Sequence, residues 1–327
     1  MRINSSRGLI LLVAAVMAGG AVSGCEAGGG GGEDGAACDA LTMVVPYAPG
    51  GSSDTVGRAL ADAVTKQDGI RVEVTNPTGA NGTVAATELA TQRPDPCQVI
   101  YLPNGPFASM PYFQDVQFEP ADFRGIAAVN EEPILLVVNA DGPWKSVEDL
   151  RGAADHRFTY ANSGTGSYTQ LAMAQTFAEL DQEAEGIPFD GSAPAITALL
   201  GDQVDAVAVH PGEAMQYLES GDLTALAVFG PERLESLPEV PTAAEQGVDV
   251  ERSVWKAVYA NAEIPDDAAA HLQSSFEEAR GSDSVASTLS NLNSEPSEVP
   301  ADELIGKLQA EHDENATTFA ELGIIDG

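Results

Sequence analysis

Short apolar runs alternate along the chain with longer segments whose apolar residues recur every three or four positions. Residues 41–45 are continuously apolar or nearly so, residues 52–66 have helical spacing, and residues 70–75 alternate between apolar and polar. These patterns predict a strand, a helix and a second strand. A helix over 82–90 and a strand over 98–102 complete a β-α-β-α-β order, which predicts a parallel sheet with right-handed crossovers.

A second alternating block follows the sequence FRGIAAVNEEPILLVVN at residues 123–139, which is long enough for two strands. The centre of that segment is the best candidate for a crossing between domains. Beyond it, Ser or Pro at helix starts and Gly or Asp at helix ends predict four helices and four strands. The helices are expected at 146–153, 167–180, 192–202 and 212–221, and the strands at 157–161, 186–189, 205–210 and 223–229.

This order of elements predicts an α/β fold of two domains, each with a parallel-rich sheet flanked by helices. The first domain is expected over residues 39–138 together with 254–327, and the second over residues 139–253. Residues 253–259 would return the chain to the first domain, and helices around 267–280 and 302–322 would end it. Trp255 and Tyr259 recur at even spacing on the returning strand, and we predict core positions for them rather than positions on a cleft wall.

The N-terminus has the layout of an export signal. Arg2 and Arg7 precede an apolar run over residues 9–17 that is too short to span a membrane. The sequence Val-Ser-Gly-Cys at 22–25 resembles the lipobox of bacterial lipoproteins, which predicts removal of residues 1–24 and lipidation of Cys25. A plain secretory signal with a spacer is the alternative. Residues 25–38 are rich in glycine and are expected to form a flexible tether.

The charge balance excludes one large class of partners. The chain of 327 residues carries 15 Lys and Arg against 50 Asp and Glu, a formal net charge of -35. Removal of residues 1–24 takes away two arginines and no acid, which leaves -37. A protein of this charge repels a phosphate backbone, so we expect no binding to nucleic acid.

The cysteines agree with an exported protein. With Cys25 lipidated, Cys38 and Cys97 remain as an even pair, and each stands just before a predicted strand. If those strands are parallel neighbours, both sulfur atoms lie at one end of the sheet and a disulfide is feasible. Two isolated cysteines and four scattered histidines lack the spacing of metal ligands, so we expect no metal and no cofactor.

Four strand-to-helix turns are rich in glycine and hydroxyl residues. They are PYAPGGSSD at 46–54, NPTGANG at 76–82, NSGTGS at 162–167 and FDGSAP at 189–194. Ligands of open parallel α/β sheets bind outside the carboxyl ends of the strands, where such turns lie. Free amides and the dipole at a helix start favour an anion there. For any one turn alone, a glycine-assisted turn with a helix cap is the simpler alternative.

Taken together, these turns resemble those of a known family, the extracytoplasmic solute receptors of tripartite tricarboxylate transporters (TctC or Bug family). The motifs that carry the resemblance are PYAPGGSSDTVGR, NPTGANGTVAA, NSGTGSYTQLA, PFDGSAPAITALLGDQVDA and LPEVPTAAEQG, in the order that the family uses. Together they cover roughly residues 41–322. The resemblance implies a two-domain fold like that of periplasmic binding proteins (type II, Venus flytrap). Such a protein closes on a small organic carboxylate and hands it to membrane transporter subunits.

The resemblance also implies which residues bind the ligand. They are Pro49, Gly50, Gly51, Ser52 and Asp54 in the first turn, Gly79, Ala80, Asn81, Gly82 and Thr83 in the second, Ser163, Gly164, Thr165, Gly166 and Ser167 in the third, Gly191 and Ser192 in the fourth, and Asp205 on the cleft wall. Asp54 could instead stabilise the helix dipole, and Asp205 could be an ordinary surface acid. The segment LPNGPFASMPYFQ departs from the family's hydroxyl-rich loop, which makes Asn104 a candidate for contact with the far end of the ligand.

Enzymatic functions find little support in the sequence. Gly164, Thr165, Gly166 and the later Asp190 imitate a dinucleotide-binding fingerprint, but the third glycine is missing. The chain has no G-x-S-x-G elbow, phosphate-binding P-loop or H-E-x-x-H motif. We therefore expect a monomeric receptor, lipid-anchored on the outer face of the cytoplasmic membrane, and no enzyme. Its partner would be a transporter or, as the alternative, a sensor kinase.

Overall fold

The structure is a computed structural model. It describes residues 38, 40–153, 155–189, 191–297 and 299–325. The predicted signal peptide, the predicted lipidation site Cys25 and residues 26–37 of the predicted tether lie outside the described residues. Within the described part, no helix has both the length and the apolar character needed to cross a membrane.

Strands and helices alternate over most of the described chain. The strands are β1 (Ala40–Val44), β2 (Arg71–Thr75), β3 (Gln98–Pro103), β4 (Phe123–Pro133), β5 (Leu135–Asn139), β6 (Phe158–Asn162), β7 (Ala184–Pro188), β8 (Ala206–Val209), β9 (Leu223–Val228), β10 (Ser253–Asn261) and β11 (Glu295–Pro296). The α-helices are α1 (Ser52–Asp68), α2 (Thr83–Thr91), α3 (Gly105–Ala108), α4 (Val147–Arg151), α5 (Tyr168–Glu179), α6 (Ser192–Leu200), α7 (Pro211–Ser220), α8 (Asp266–Arg280), α9 (Asp283–Asn291) and α10 (Leu304–Glu321).

The strands form two mixed sheets, and each sheet with its helices is called a lobe below. The first sheet has the order β11-β4-β10-β3-β1-β2 and the second the order β7-β6-β8-β5-β9. The predicted parallel arrangement of the first three strands is confirmed, because β1 pairs in parallel with both β2 and β3. Strand β10 pairs antiparallel with β3 and β4, and β5 pairs antiparallel with β8 and β9. Each sheet is therefore mixed rather than parallel-rich.

The chain changes sheets at Ile134. Strand β4 ends at Pro133 in the first sheet, and β5 begins at Leu135 in the second. The predicted boundary between residues 138 and 139 assigned most of β5 to the first domain, four residues too far along the chain. The run from Leu135 to Val138 is buried on both faces, between β8 and β9, so it belongs to the core of the second lobe. The return to the first sheet comes at Ser253, the start of β10.

Apolar clusters cover both faces of each sheet. Helices α1, α8 and α9 pack on one face of the first sheet, and α2, α3 and α10 pack on the other. In the second lobe, α4 and α5 cover one face and α6 and α7 the other. Trp255 and Tyr259 are fully buried in the cluster with α2 and α10, which confirms their predicted core positions. Helix α9 and the short α3 were not predicted.

The predicted disulfide is confirmed. Cys38 and Cys97 are bonded, with Cα atoms 5.6 Å apart and 59 positions between them in sequence. The pairing of Thr42 with Gln98 across parallel strands β1 and β3 brings the two cysteines to the same edge of the sheet. A disulfide that closes a loop of this length lowers the conformational entropy of the unfolded chain, which stabilises the fold by about 4 kcal/mol in the chain-entropy model.

Candidate functional site

The first predicted ligand turn lies between β1 and α1, at the carboxyl end of a strand in the first lobe. Gly50 has a φ of +82°, a left-handed conformation that favours glycine. Gly51 precedes α1 without a side-chain cap. As far as the chain is described, nothing accepts a hydrogen bond from the amides of Ser52 and Ser53. The positive end of α1 is therefore open.

Asp54 braces this turn from within. Its carboxylate accepts hydrogen bonds from the Gly50 amide at 2.8 Å, from Arg58 Nε at 2.9 Å and from Asn76 Nδ2 at 3.0 Å. Burial opposes ionisation of Asp54, but these hydrogen bonds, led by that of Arg58, lower the pKa of its carboxyl below the usual range. Both oxygens are thus occupied inside the chain. This geometry supports the simpler alternative, in which Asp54 holds the helix start rather than the ligand.

The second predicted turn, which includes Gly79, lies against the first. Ala80 and Asn81 adopt positive φ angles of 42° and 54°, which non-glycine residues rarely do. At Gly82 a Cβ atom would come within 2.9 Å of Leu102 Cδ2 and 3.1 Å of the Tyr47 hydroxyl, so only glycine fits. The Tyr47 hydroxyl donates to the Asn81 carbonyl at 3.2 Å and ties the two turns together.

The third predicted turn, between β6 and α5, bonds largely to itself. The amides of Ser163, Gly164 and Gly166 donate to the side chains of Thr169, Asn162 and Gln170. The Ser167 hydroxyl accepts from the Gln170 amide and caps α5. Most amides of this turn are therefore occupied within the chain. Among residues 163–167, only the amide of the exposed Thr165 has no acceptor in the described part of the chain.

Asn162 is a residue of this turn that the prediction left out. Its Oδ1 accepts from the Gly164 amide at 3.1 Å, while its Nδ2 is buried and has no partner in the described part of the chain. An unpaired buried donor costs about 1–3 kcal/mol, and an acceptor atom of a ligand bound at this turn would remove that cost. Its position as the last residue of β6, ahead of the glycine motif, was the available signal.

The fourth predicted turn opens α6. Gly191 has a φ of +97° and immediately precedes the helix. No side chain among the described residues, which do not include residue 190, caps this helix start. The amide of Ser192 has no acceptor among the residues described. Gly164 and Phe189 lie against each other, because a Cβ on Gly164 would be 3.7 Å from the Phe189 carbonyl oxygen. The third and fourth turns therefore share one edge of the second lobe.

The segment after β3 bridges the two lobes. The Ser109 hydroxyl donates to the Gly166 carbonyl, and the Phe113 ring covers Gly166 so closely that a Cβ there would be 2.6 Å from the ring. In the same segment Gln114 Nε2 donates to Thr83 Oγ1 at 2.7 Å. The departure from the family loop at residues 102–114 thus forms the contact between the second and third turns.

Asn104 takes part in a buried cluster around Glu311 that the sequence analysis missed. The Glu311 carboxylate accepts from Trp255 Nε1 at 2.6 Å, from Asn104 Nδ2 at 2.8 Å and from the Tyr168 hydroxyl at 2.9 Å. Because Tyr168 follows the third turn, α10 connects both lobes through this carboxylate. Asn104 Oδ1 is buried without a partner in the described chain and is the one atom left for the predicted ligand contact.

The prediction that Asp205 lines the cleft is wrong. Strand β8 runs parallel to β6, with Ala206 opposite Tyr160. Asp205 accordingly bonds to Thr159 at the amino end of β6, accepting from its amide at 2.8 Å, and contacts His156 Nε2 at 3.0 Å. At a rise of about 3.3 Å per residue, the third turn starts about 10 Å away at the other end of β6.

The sequence did not predict a buried ion pair between Lys256 and Glu132. Lys256 Nζ lies 2.6 Å from Glu132 Oε1 and 3.2 Å from the Ser52 hydroxyl oxygen. Charged residues within the otherwise apolar runs of β4 and β10 were the signal. Opposite them in the second lobe, His210 Nδ1 contacts the Pro133 carbonyl oxygen at 3.0 Å.

Residues 56–323 match the model of the tripartite tricarboxylate transporter family receptor, TctC. The chain belongs to this family. The predicted family and α/β fold are thereby confirmed, and so is the expectation of a receptor rather than an enzyme, because the members of the TctC family are receptors.

Individual relatives resemble the chain over most of its length. A UPF0065 protein of Agrobacterium vitis is 29% identical over 69% of this chain, and the match spans 66% of that protein. The structure of Rpa4515 from R. palustris with adipate superimposes with a TM-score of 0.77 at 27% identity, covering 87% of this chain and 97% of the other. MatC from Rhodopseudomonas palustris with bound malate gives 0.73 at 27% identity, covering 85% and 98%.

Proposed function

We propose that the chain is an extracytoplasmic receptor that captures a small organic carboxylate between its two lobes. The observation that carries this proposal is a pair of helix starts that no described side chain caps, at α1 in the first lobe and α6 in the second. Each follows the carboxyl end of a strand, where α/β sheets bind ligands. Free amides at a helix start favour a carboxylate through hydrogen bonds and the helix dipole.

Unpaired polar groups support the same site in the second lobe. The Asn162 Nδ2 donor and the Thr165 amide have no acceptor among the described residues, and both lie beside the turn that opens α5. A carboxylate oxygen would satisfy them. The net charge of the chain does not forbid this, because charges on the far surface are screened beyond about 8 Å at physiological salt.

Two relatives bind ligands of this class. The structure of MatC contains bound malate and that of Rpa4515 was determined with adipate, and both ligands are dicarboxylates. By analogy, we expect a small carboxylate here. Closure of the lobes around it, as two domains joined at Ile134 and near Ser253, would use the Ser109–Gly166 contact as part of the closed interface.

The N-terminal region completes the proposed role. Lipidation of Cys25 would tether the receptor to the outer face of the cytoplasmic membrane, with the glycine-rich residues 26–37 as the link. The receptor would then deliver its ligand to the membrane subunits of a tripartite tricarboxylate transporter. A Cys25→Ala variant tests the anchor: it is expected in the soluble fraction, and its retention in the membrane fraction would contradict lipidation.

Calorimetric titration with mono-, di- and tricarboxylates, amino acids and sugars tests ligand capture. We expect one carboxylate per chain and no product. The matched variants Ser192→Pro and Ser192→Ala probe the α6 amide. Both remove the hydroxyl, but only proline removes the N–H, at the first helical position where proline is tolerated. Ser192→Pro should lose about tenfold in affinity, the value of about one hydrogen bond to a charged group, while Ser192→Ala should stay within threefold. Equal affinities in the two variants would exclude this amide from the site.

A further inference from the structure

A buried ion pair lies where the chain passes between the lobes. Lys256 is on β10, three residues after that strand begins, and Glu132 is on β4, two residues before the crossing at Ile134. Their side chains are only 5% and 9% exposed. The 2.6 Å distance between Lys256 Nζ and Glu132 Oε1 makes this a direct, charge-assisted hydrogen bond.

The pair touches the first ligand turn. Lys256 Nζ donates to the Ser52 hydroxyl at 3.2 Å, and Ser52 is the first residue of α1. Lys256 Nζ thus contacts both Glu132 Oε1 and the first residue of α1. The ammonium group therefore contacts the helix start at which we place the carboxylate site.

Lys256 favours the ionised form of Glu132. Burial alone would raise the pKa of Glu132, but the charge of Lys256, and after it that of His210, holds the pKa of this carboxyl below its usual range. His210 stands at the carboxyl end of β8 in the second lobe. Lys256 therefore contacts the start of α1 in the first lobe, and Pro133, the residue after Glu132, contacts His210 of the second lobe.

Stability gives no reason for such a pair. Burying two charges costs several kcal/mol per ion, and well-packed apolar residues at such positions are often as stable or more stable. Arg252 and Lys256 are the only cationic side chains that are buried in the described part of the chain. Lys256 uses two of its three N–H bonds, and no described residue accepts from the third.

We propose that Lys256 is a specificity-determining residue that binds a second acidic group of the ligand, so that the receptor selects dicarboxylates over monocarboxylates. This inference rests on the proposed function, since it assumes a first carboxylate at the open helix starts. Glu132 is a positioning residue. It holds Lys256 in place and offsets part of its attraction for an anion.

The two roles have opposite electrostatic signs, and this difference makes the proposal testable. Loss of the Lys256 charge removes an attraction for the second carboxylate and leaves Glu132 to repel it. Loss of the Glu132 charge leaves Lys256 and the partial positive charge at the start of α1 without an opposing carboxylate. A purely structural pair that only positions Ser52 would instead weaken binding in both cases.

The experiment compares ligand pairs that differ in one carboxylate. Calorimetric titrations of the purified mature chain would use succinate with butyrate, malate with 2-hydroxybutyrate, and adipate with hexanoate. The variants are Lys256→Met and Glu132→Gln. Lys66→Met is the matched control, because it removes an exposed lysine from the far end of α1. Circular dichroism and the urea midpoint of each variant report on folding.

The wild type and Lys66→Met should prefer the dicarboxylate at least tenfold. Lys256→Met should lose this preference, with the monocarboxylate within threefold of the wild type, and Glu132→Gln should bind the dicarboxylate more tightly. Equal losses for both ligands in both variants would overturn the proposal. If Lys256→Met does not fold, weaker dicarboxylate binding by Glu132→Gln is sufficient to overturn it. A wild type that binds mono- and dicarboxylates alike refutes this inference alone, whereas one that binds no carboxylate refutes the proposed function.

Discussion

Glu311 offers the sharpest test of how the lobes are held together. Its carboxylate is the shared acceptor for Trp255 Nε1, Asn104 Nδ2 and the Tyr168 hydroxyl. Trp255 and Asn104 belong to the first lobe and Tyr168 to the second, so one side chain of α10 joins both. We predict that Glu311→Ala is strongly destabilising although Glu311 itself is only half-buried.

The magnitude follows from the three donors that the substitution leaves without an acceptor. Each unsatisfied buried donor costs about 1–3 kcal/mol, and water that enters the vacated space keeps each cost near the lower limit. The expected loss is therefore about 3–5 kcal/mol. Glu311→Gln keeps one acceptor oxygen but turns an amide donor towards another donor, which should cost about 1–2 kcal/mol.

Urea unfolding of the disulfide-intact chain measures these values as a fall in the midpoint at constant slope. For a protein of this size 1 kcal/mol corresponds to about 2 °C, so Glu311→Ala should unfold about 6–10 °C earlier. Asp313→Ala is the control, because Asp313 is exposed on the same helix and should change stability by less than about 0.5 kcal/mol. If Glu311→Ala and Asp313→Ala were equally stable, the carboxylate would not be joining the lobes.

Two further predictions concern the turns. Gly166→Ala should weaken carboxylate binding at least tenfold, because its Cβ would be 2.6 Å from the Phe113 ring. Gly221→Ala is the control: Gly221 has a similar φ of +79° but nothing within 4 Å of the added Cβ, so this variant should bind normally. Calorimetry on both variants separates the effect of the clash from that of backbone strain. The lowered pKa of Asp54 means that its ionised form stabilises the fold fully above the unfolded Asp pKa of about 4 and loses this effect as the pH falls through the lower folded value. Asp54→Asn should therefore be less stable than the wild type at pH 7, and urea midpoints should converge below pH 4; a gap that does not change with pH would contradict this role.

The order of the elements and the position of the turns could be predicted because local patterns determine them. Strands β1 and β3 follow from apolar runs, and α1 and α6 from helical spacing after glycine-rich turns. The crossing was expected near the centre of residues 123–139, close to Ile134, but the domain boundary was set too late, since a continuous apolar run hides the change of partner strands. The polar residues Asn130 to Glu132 just before it were the better marker.

The hydrogen bonds of the site could not be predicted, because they depend on pairs that are distant in sequence. Lys256 and Ser52 are 204 positions apart, and Asn104 and Glu311 are 207 apart. Asp205 was misassigned because the family resemblance was followed against its position at the start of the predicted strand 205–210. Ligands of α/β sheets bind at the carboxyl ends of the strands, which is the opposite end of β8.

We propose that a carboxylate binds at the starts of helices α1 and α6. The most direct measurement follows the backbone amides of the ¹⁵N-labelled chain by NMR while a carboxylate selected by calorimetry is added. We predict saturable shifts that are largest at Ser52, Ser53, Thr165 and Ser192, together with the Asn162 side-chain amide. Saturable binding that leaves these amides unchanged and shifts others, such as those around Glu321 at the end of α10, would contradict the account.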